Sequence, residues 1–301
     1  MNENFIPNHK IYTRNGEVLG DTIWPEGMRR IALAVEYKGS DYHGFQMQPS
    51  GVKTVQQALE KALSSVANEE IALVCAGRTD SGVHATNQVI HFDTLAQRHQ
   101  KAWVLGVRKN LPNSIGIRWA KDISPQFHAR FSALNRTYRY LISDAETSSA
   151  LLYDQITWSS RRLDVDKMRE GAATLVGQHD FTSFRATQCQ AKSPVRTIHY
   201  LHIVRRGDLI VLEVQANAFL HHMVRNIVGV LLAVGVGDKP TSWVGDVLAA
   251  RDRSRGGVTA KPFGLYLVSV DYPSHFDLPK GLPGPLFLSE PIGGFAAELG
   301  L

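Results

Sequence analysis

The alternation of hydrophobic and polar positions predicts two similar halves, the first of which begins with a strand. The run IALAVEY predicts a strand that ends at Tyr37. Thr54 then opens a helix through a capping box with Gln57, and apolar residues recur along one face of this helix. The remaining elements of this half are, in order, strand IALVCA, strand NQVIHFDT, helix KAWVLGVRKNL and strand IGIRWAKDI. The predicted order is therefore β-α-β-β-α-β.

The second half repeats this order with one helix inserted. Strand RTYRYLIS precedes a helix from Val165 to Val176, with Asp164 as its N-cap and Gly177 after its end. Two further strands, TIHYLHIVRR and LIVLEVQAN, are joined by a Gly-Asp hairpin turn. A helix from Phe219 to Val234, a helix near SWVGDVLAA and a closing strand GLYLVSVDY complete the pattern.

The repeated order predicts an α+β fold in which two tandem ferredoxin-like units form one sheet platform, with helices on one side and the other face open. Such platforms are common among RNA-binding proteins, although a fold alone does not establish a function. The first unit is placed at residues 29–130 and the second at residues 131–272. Residues 1–28 are interpreted as an N-terminal extension. Residues 273–301 are interpreted as a tail whose prolines exclude regular structure.

The composition is typical of a globular protein. Hydrophobic residues make up 44% of the 301 positions and charged residues 20%. The longest apolar run, Ile227 to Val236, has roughly half the length that a bilayer span needs, and the N-terminus lacks the apolar stretch of a secretory signal. Cys75 and Cys189 match neither a disulfide framework nor a metal-ligand spacing. We therefore expect a cytoplasmic protein without a membrane segment.

The charge is concentrated in the predicted folded part of the chain. The whole chain carries a net charge of +5, and the two terminal segments each contribute two net negative charges, which leaves +9 for residues 29–272. Basic clusters such as RFSALNRTYRY and RDRSRGG indicate an anionic partner, nucleic acid first, although such clusters are also typical of solvated protein faces.

The stretch CAGRTDSGVHA, between two predicted strands, carries polar groups that an ordinary hairpin does not need. Asp80 is the only acidic residue between Ile71 and Phe92, so a paired carboxylate for glycosidase chemistry is not locally present. Arg78 lies two positions before it, and the glycines of this loop allow a substrate to approach the backbone. Asp80 is therefore either a nucleophile or base assisted by a guanidinium, or a turn residue that caps its own backbone.

The sequence predicts neither a metal site nor a phosphate-binding loop. His84 and His91 lie seven residues apart, and neither H-E-x-x-H nor G-x-x-x-x-G-K-[ST] occurs. His221 and His222 are adjacent in the predicted helix that starts at Phe219, so their side chains should diverge by about a third of a turn.

Five segments together resemble one protein family. GRTDSGVHA closely resembles the signature of the bacterial tRNA pseudouridine synthases of the TruA type. Four further segments resemble that family in the same order: YKGSDYHGFQ, FHARFSALNRTYRY, FLHHMVRNIVG and TAKPFGLYL. These segments span most of residues 30–272. One departure concerns a loop: family members commonly read A-P-P before G-L-Y-L, where this chain has Ala260, Lys261 and Pro262.

The resemblance implies that the chain isomerises uridine to pseudouridine in the anticodon stem-loop of tRNA, at positions 38, 39 and 40. It also implies the pseudouridine synthase fold with a central catalytic cleft, and a homodimer with the tRNA lying across both subunits. The reaction detaches uracil from its ribose and rejoins it through carbon. Because no redox change occurs, the reaction needs no cofactor.

The resemblance also assigns residues to the catalytic step. Asp80 is implied to be the catalytic carboxylate, and Arg225 to be the arginine that pairs with it. Burying Arg225 unpaired on so apolar a helix would be costly, which favours such a pairing. Tyr138 is implied to lie against the target base, where its ring could stack and its hydroxyl could help to move a proton.

Besides Tyr138, three further residues are expected to bind the substrate. Arg78 is the candidate for filling the gap that the flipped uridine leaves, or for holding that nucleotide. Leu265 should supply an apolar wall to the cleft. His84 could hydrogen-bond a phosphate or close the loop, and the structural role is favoured.

Two other function classes are considered. A non-catalytic RNA-binding protein would carry the aromatic RNP pattern on its strands, which this chain lacks. A metal-dependent nucleic-acid hydrolase would need more carboxylates near Asp80 than the loop contains.

Overall fold

The computed structural model describes residues 11–12, 18–19, 24–281 and 284–288. Its strands are β1 Ile11–Tyr12, β2 Val18–Leu19, β3 Arg29–Tyr37, β4 Leu73–Cys75, β5 His84–Thr94, β6 Ile115–Ile123, β7 Asn135–Ser143, β8 Thr157–Trp158, β9 Gly177–Asp180, β10 Val195–Arg206, β11 Leu209–Ala216 and β12 Leu265–Asp271. Its α-helices are α1 Val55–Ala67, α2 Val107–Lys109, which continues a π-helical segment at Ala102–Gly106, α3 Val165–Ala173, α4 Met223–Gly235 and α5 Trp243–Ala250.

One sheet runs through both halves of the chain, in the order β6-β3-β5-β12-β7-β11-β10-β9, with β4 on β5 and β8 on β7. In the first half the strands lie in the order β6, β3, β5, β4, and in the second half in the order β12, β7, β11, β10. Each half therefore places its four main strands in the ferredoxin-like order fourth, first, third, second. The predicted α+β fold with two such units is confirmed.

The two halves join through a parallel contact between β5 and β12. Tyr266 pairs with His84 and Leu267 with Ala85, at the start of β5, while β4 pairs with the far end of the same strand. The loop between β4 and β5 consequently lies at the junction of the two halves, beside the second unit's closing strand.

The helices and the main hydrophobic core lie on one face of this sheet. Tyr140 and Leu265, which pair directly across β7 and β12, face this core together with apolar residues of α1, α3 and α4. Strand residues of the opposite parity, such as Leu141 and Tyr266, form a smaller cluster on the other face. This division follows from the period-two alternation of strand side chains.

The expectation that the second face is open is wrong for its centre. Leu288 from the C-terminal segment belongs to the cluster on that face. Arg139, which is completely buried, pairs with Glu213 at 2.6 Å and donates hydrogen bonds to the carbonyl oxygens of Gly284 and Leu288. A buried ion pair requires such additional acceptors, and the segment at residues 284–288 supplies them. In residues 273–281 and 284–288, the described part of the predicted tail, the only regular structure is two short 3₁₀ turns, Ser274–Phe276 and Leu286–Leu288, and the rest of that prediction lies outside the described residues.

Two predicted helices have different bounds. The helix expected from Val165 to Val176 ends at Ala173, and the helix expected from Phe219 starts at Met223. The second difference arises because His222 has a φ of 62°, in the left-handed region, which is incompatible with an α-helix. None of the helices among the described residues has the length and apolar character of a membrane span.

Candidate active site

The loop between β4 and β5, residues 76–83, carries Asp80 and is fixed by contacts on several sides. The Thr79 hydroxyl lies 2.8 Å from the Tyr37 hydroxyl, and the Thr79 carbonyl accepts a hydrogen bond from Phe45 at 3.0 Å. At Gly82, where φ is +80°, a Cβ atom would lie 2.8 Å from the Pro262 ring. The loop therefore packs against the segment that precedes β12, and only glycine fits at this turn.

The segment YKGSDYHGFQ packs on the same loop. A Cβ atom on Gly39 would lie 1.8 Å from the Val83 carbonyl oxygen, so the two backbones approach as closely as glycine allows. Gly44, with a φ of +90°, also lies close to the loop, with 2.9 Å between its Cβ position and the Thr79 carbonyl oxygen. These contacts explain why glycines occur in this segment and show that it supports the Asp80 loop.

Three side chains converge on the Asp80 carboxylate, which is 23% exposed. Arg225 Nη1 lies 3.2 Å from Oδ2, His221 Nε2 lies 3.3 Å from Oδ1, and His222 Nε2 lies 3.4 Å from Oδ2. Arg225 is itself oriented by a 2.9 Å hydrogen bond from Nε to the Ala260 carbonyl. The guanidinium thus links α4, the segment before β12 and the loop, and its positive charge compensates the carboxylate.

The interpretation of the two histidines from sequence is wrong. His221 and His222 precede α4 instead of lying in it, and their ring centroids are only 4.0 Å apart. Together with Asp80 they place one potential metal-ligand atom each within 4.8 Å of one another. Burial lowers the pKa of His222. The doublet in FLHHM was visible in the sequence, but a left-handed residue between a strand and a helix could not be recognised from it.

Tyr138 lies on β7 beside this cluster. Its side chain is buried, and its ring meets Phe219 edge to face with centroids 5.0 Å apart. A Cβ atom on Gly77 would lie 3.8 Å from the Tyr138 hydroxyl, so the hydroxyl reaches the backbone of the Asp80 loop. Within residues 24–281 this hydroxyl makes no hydrogen bond. Burial raises the pKa of Tyr138, and the nearby Asp80 charge raises it further, so the free protein holds a neutral phenol there.

Tyr140 and Leu265 belong to the core behind Tyr138. The Tyr140 hydroxyl forms hydrogen bonds with the Thr157 hydroxyl at 2.7 Å and with the Lys261 carbonyl at 2.6 Å, which hold this side chain in the core. Leu265 is buried in the same cluster as Tyr138 and pairs with Tyr140 across the strands. The hydrogen bond from Tyr140 goes to the backbone carbonyl of Lys261, whose side chain is exposed. The departure from A-P-P at this position therefore leaves that hydrogen bond intact.

Arg78 and His84 differ from each other in their surroundings. The Arg78 side chain is exposed, and the guanidinium beside Asp80 is that of Arg225. His84 is buried: its Nδ1 accepts from the Gly39 amide at 3.0 Å, its Nε2 lies 3.0 Å from the Asp154 carbonyl, and its ring stacks on Tyr266. Because both ring nitrogens are occupied, a substrate phosphate has no free nitrogen to bind, and the substrate-binding prediction for His84 gives way to the structural one.

Sequence comparison places the chain among known proteins. The family model described as tRNA pseudouridine synthase matches residues 33–132 and 172–273. The tRNA pseudouridine synthase A of Pseudomonas aeruginosa is 57% identical over 263 residues, which cover 87% of this chain and 92% of that protein. The protein of the same name from an Enterobacter strain is 53% identical, with 87% of this chain and 97% of that one covered.

Among solved structures, one chain of the crystal structure of a Cbf5-Nop10-Gar1 complex is similar to this chain, and the match covers 78% of this chain and 57% of that chain. The TM-score is 0.33 and the sequence identity is 11%.

Proposed function

Because the chain belongs to the tRNA pseudouridine synthase family, we propose that it forms pseudouridine in the anticodon stem-loop of tRNA, at positions 38, 39 and 40, with Asp80 as the catalytic carboxylate. Isomerisation of uridine in tRNA is the activity of this family. The observation that carries the residue assignment is the convergence of Arg225, His221 and His222 on a partly exposed carboxylate in a fixed loop.

The reaction is an isomerisation that one carboxylate can serve. The bond between N1 of uracil and C1′ of ribose breaks, and a bond between C5 and C1′ forms. The hydrogen on C5 leaves as a proton, and N1 takes up a proton, so atoms and electrons balance without a redox partner. Asp80 serves either by attacking the sugar or the base, or by removing a ribose proton.

Arg225 is proposed to orient Asp80 and to compensate its charge in the cleft. Its two hydrogen bonds, to Asp80 and to Ala260, use different nitrogens of the planar guanidinium. A lysine would offer one nitrogen on a flexible stem, without the fixed planar arrangement that holds both contacts of the guanidinium in place. The conformation of the carboxylate is therefore fixed before substrate arrives, which removes an ordering cost from the reaction.

Tyr138 is proposed to lie against the target base and to take part in the proton transfer from C5. Its hydroxyl is protonated in the free protein, because burial raises its pKa. It can accept the C5 proton only if it passes its own proton on in the same step. This requirement favours a relay role over that of a simple base.

The substrate must first present its uridine outside the stem, which costs a few kcal/mol of unstacking and unpairing. Arg78 is proposed to compensate this cost by occupying the gap or by holding the flipped nucleotide. Its exposed side chain, one residue from the fixed Thr79, is free to reach into RNA from a rigid base.

A homodimer is proposed as the assembly that holds the tRNA. Its support is three exposed apolar side chains that lie one or two positions along the chain from members of the smaller hydrophobic cluster: Leu151 at 88% exposure, Tyr153 at 73% and Leu286 at 75%. Exposed apolar surface of this kind is typical of protein contact surfaces. Sedimentation of the wild-type chain and of Leu286→Glu tests this: a dimer that the substitution dissociates supports it, and a wild-type monomer contradicts it.

The activity is tested by incubating the purified protein with a tRNA transcript that carries uridines at positions 38–40 and mapping pseudouridine at single-nucleotide resolution. A transcript with cytidine at those positions is the matched control. Product at these positions alone is the expected result. Absence of pseudouridine would contradict the activity, and product elsewhere in the tRNA would contradict the site.

A further inference from the structure

Two histidines and Asp80 form a group of donor atoms that pseudouridine formation does not itself require. His221 Nε2 lies 3.3 Å from Oδ1 of Asp80, and His222 Nε2 lies 3.4 Å from Oδ2. Neither imidazole nitrogen takes part in a hydrogen bond among residues 24–281. The two Nε2 atoms therefore lie near the carboxylate without forming a hydrogen bond to it, and each remains able to bind a ligand.

The spacing of these atoms suits a tetrahedral metal ion. Zinc binds histidine nitrogen and carboxylate oxygen at about 2.0–2.2 Å, so two ligands of one tetrahedral ion lie roughly 3.3–3.5 Å apart. The 3.3 Å between His221 Nε2 and Oδ1, the carboxylate oxygen that Arg225 does not contact, agrees with this separation, and His222 Nε2 reaches the other oxygen of the same carboxylate at 3.4 Å. All three residues offer their ligand atoms within 4.8 Å of one another.

The backbone holds these donors in place. His222 has a fixed left-handed conformation directly before α4, and its carbonyl accepts the first hydrogen bond of that helix, from Asn226 at 2.9 Å. The His221 carbonyl accepts a hydrogen bond from Ala186 at 2.9 Å. Asp80 lies in the loop that the glycine contacts fix. A metal ion would therefore meet a largely preformed site.

We propose that Asp80, His221 and His222 bind a divalent transition metal ion such as Zn²⁺, and that the bound ion inhibits the enzyme. Arg225 keeps Oδ2, so Oδ1 and the two Nε2 atoms are the ligands, and water completes the coordination. The nearby guanidinium opposes a second cation and limits the affinity. Inhibition follows because a coordinated carboxylate cannot react with the uridine, and this second half of the proposal rests on the proposed function.

Metal binding is tested without RNA, so this test is independent of the enzymatic activity. Zn²⁺ affinity is measured by competition with a chromophoric chelator, and Co²⁺ is used to record the visible spectrum of the site. The variants are His221→Asn and His222→Asn; asparagine tolerates the left-handed conformation at position 222. The matched control is the double variant His199→Asn/His202→Asn, which removes two exposed histidines of β10.

The wild-type chain and the control should bind one equivalent of Zn²⁺ and give the intense spectrum of tetrahedral Co²⁺. Each site variant should bind at least about tenfold more weakly. If the site variants bind as tightly as the wild type, or if Co²⁺ gives the weak spectrum of an octahedral ion, the proposed site is wrong. Thermal unfolding of each variant establishes that it is folded.

Inhibition is tested by titrating Zn²⁺ into the pseudouridine assay. The metal-free protein should be fully active, Zn²⁺ should inhibit it, and a chelator should restore the rate. His221→Asn, compared with its own metal-free rate, should need at least about tenfold more Zn²⁺ for the same inhibition.

Zinc bound at this site without loss of activity would overturn the proposed inhibition. A protein that is active only with metal would contradict both this proposal and metal-independent chemistry. A protein inactive in every condition, with zinc binding intact, would contradict only the proposed function.

Discussion

Around Asp80, each polar side chain has a separate physical role. Arg225 supplies the opposite charge and a rigid orientation, and the two histidines limit the space around the carboxylate. Tyr138 supplies a neutral phenol next to the loop backbone, because burial raises its pKa. In the proposed reaction, the carboxylate that reacts is therefore a different group from the one that contacts the base.

Substitutions at Tyr138 separate the hydroxyl from the ring. Tyr138→Phe keeps the ring against Phe219 and should leave folding and tRNA affinity unchanged, but it should slow turnover by about 10²–10⁴-fold, because the proton relay is lost. Tyr138→Leu should in addition weaken capture of the flipped base, since stacking contributes about 1–3 kcal/mol per base. Single-turnover rates and filter binding on both variants measure these effects. A Tyr138→Phe protein that turns over at the wild-type rate would exclude a catalytic hydroxyl.

At this scale the sequence identifies residues better than their contacts. Asp80 could be singled out because GRTDSGVHA resembles the family signature, whereas its position as the only acidic residue in a loop between two strands left a turn-capping role open. The approach of His221 and His222 to Asp80 could not be predicted, because it depends on the left-handed backbone conformation of His222. The partners of His84 are equally distant in sequence: Gly39 and Asp154 reach it only after the sheet has formed.

The segment at residues 37–45 positions the Asp80 loop by backbone contact. Gly39→Ala should push Val83 away, because a Cβ atom would lie 1.8 Å from its carbonyl oxygen. Overpacking of this kind costs about 1–3 kcal/mol of stability, and we expect turnover to fall more than tRNA affinity, because Asp80 shifts with the loop. Gly116→Ala, on β6, is the control, since nothing lies within 4 Å of its Cβ position. Equal turnover and melting temperature for the two variants would show that the loop does not depend on this contact.

The turn between β6 and β7 should make stability depend on pH. Burial and the charges of Arg30 and Arg130 lower the pKa of His128 to about 4. Its Nδ1 accepts hydrogen bonds from the amides of Arg130 and Phe131, both at 3.1 Å, which protonation would break. As the pH falls from about 6.5 to about 4, the unfolded chain takes up a proton that the folded chain refuses, so the free energy of unfolding falls by at most about 1.4 kcal/mol per pH unit for this group.

His128→Asn isolates this contribution, because the asparagine oxygen can accept the same amides but does not titrate. Urea unfolding between pH 7 and pH 5 should give a shallower loss of stability for the variant than for the wild type. The stability of the variant should still fall somewhat as the pH falls, since burial also lowers the pKa of His91. Two parallel curves would show that His128 does not titrate on unfolding in this range.

The order of the elements is predictable because each pattern is local. The capping box at Thr54 forms a 3.4 Å hydrogen bond from the Gln57 amide, as its sequence indicates. Asp164 likewise caps α3 through the Lys167 amide at 3.1 Å. The start of α4 and the short strands β8 and β9 were not predicted, because they depend on backbone conformation and pairing partners that are distant in sequence.

Over the whole molecule, the two units form one sheet because β5 and β12 pair in parallel at their junction. The repeated β-α-β-β-α-β pattern is sufficient to predict each unit, but it does not specify how the units join. The segment at residues 284–288 covers part of the second face for a similarly non-local reason, since it supplies carbonyl oxygens to the buried Arg139.

The charge distribution predicts how tRNA binding responds to salt. Residues 29–272 carry a net charge of +9, whereas each terminal segment is net negative. Association should release counterions from the RNA, so the logarithm of the affinity should fall linearly with the logarithm of salt concentration, with a slope of roughly 0.7–0.9 per phosphate contacted. Binding isotherms over a range of KCl concentrations measure this slope. A flat response would contradict a phosphate-dominated interface.

The central claim, that Asp80 performs the chemistry and does not hold the RNA, is tested most directly by Asp80→Asn. The Arg225 side chain is mostly buried and needs a polar partner. Because asparagine keeps an oxygen that can accept its hydrogen bond, folding should be preserved. Pseudouridine formation on tRNA and tRNA affinity are measured on the same preparation. We predict that turnover falls by at least about 10⁴-fold while the affinity stays within a few-fold of the wild type. Retained turnover, with mass spectrometry confirming that asparagine is still present, would contradict the account.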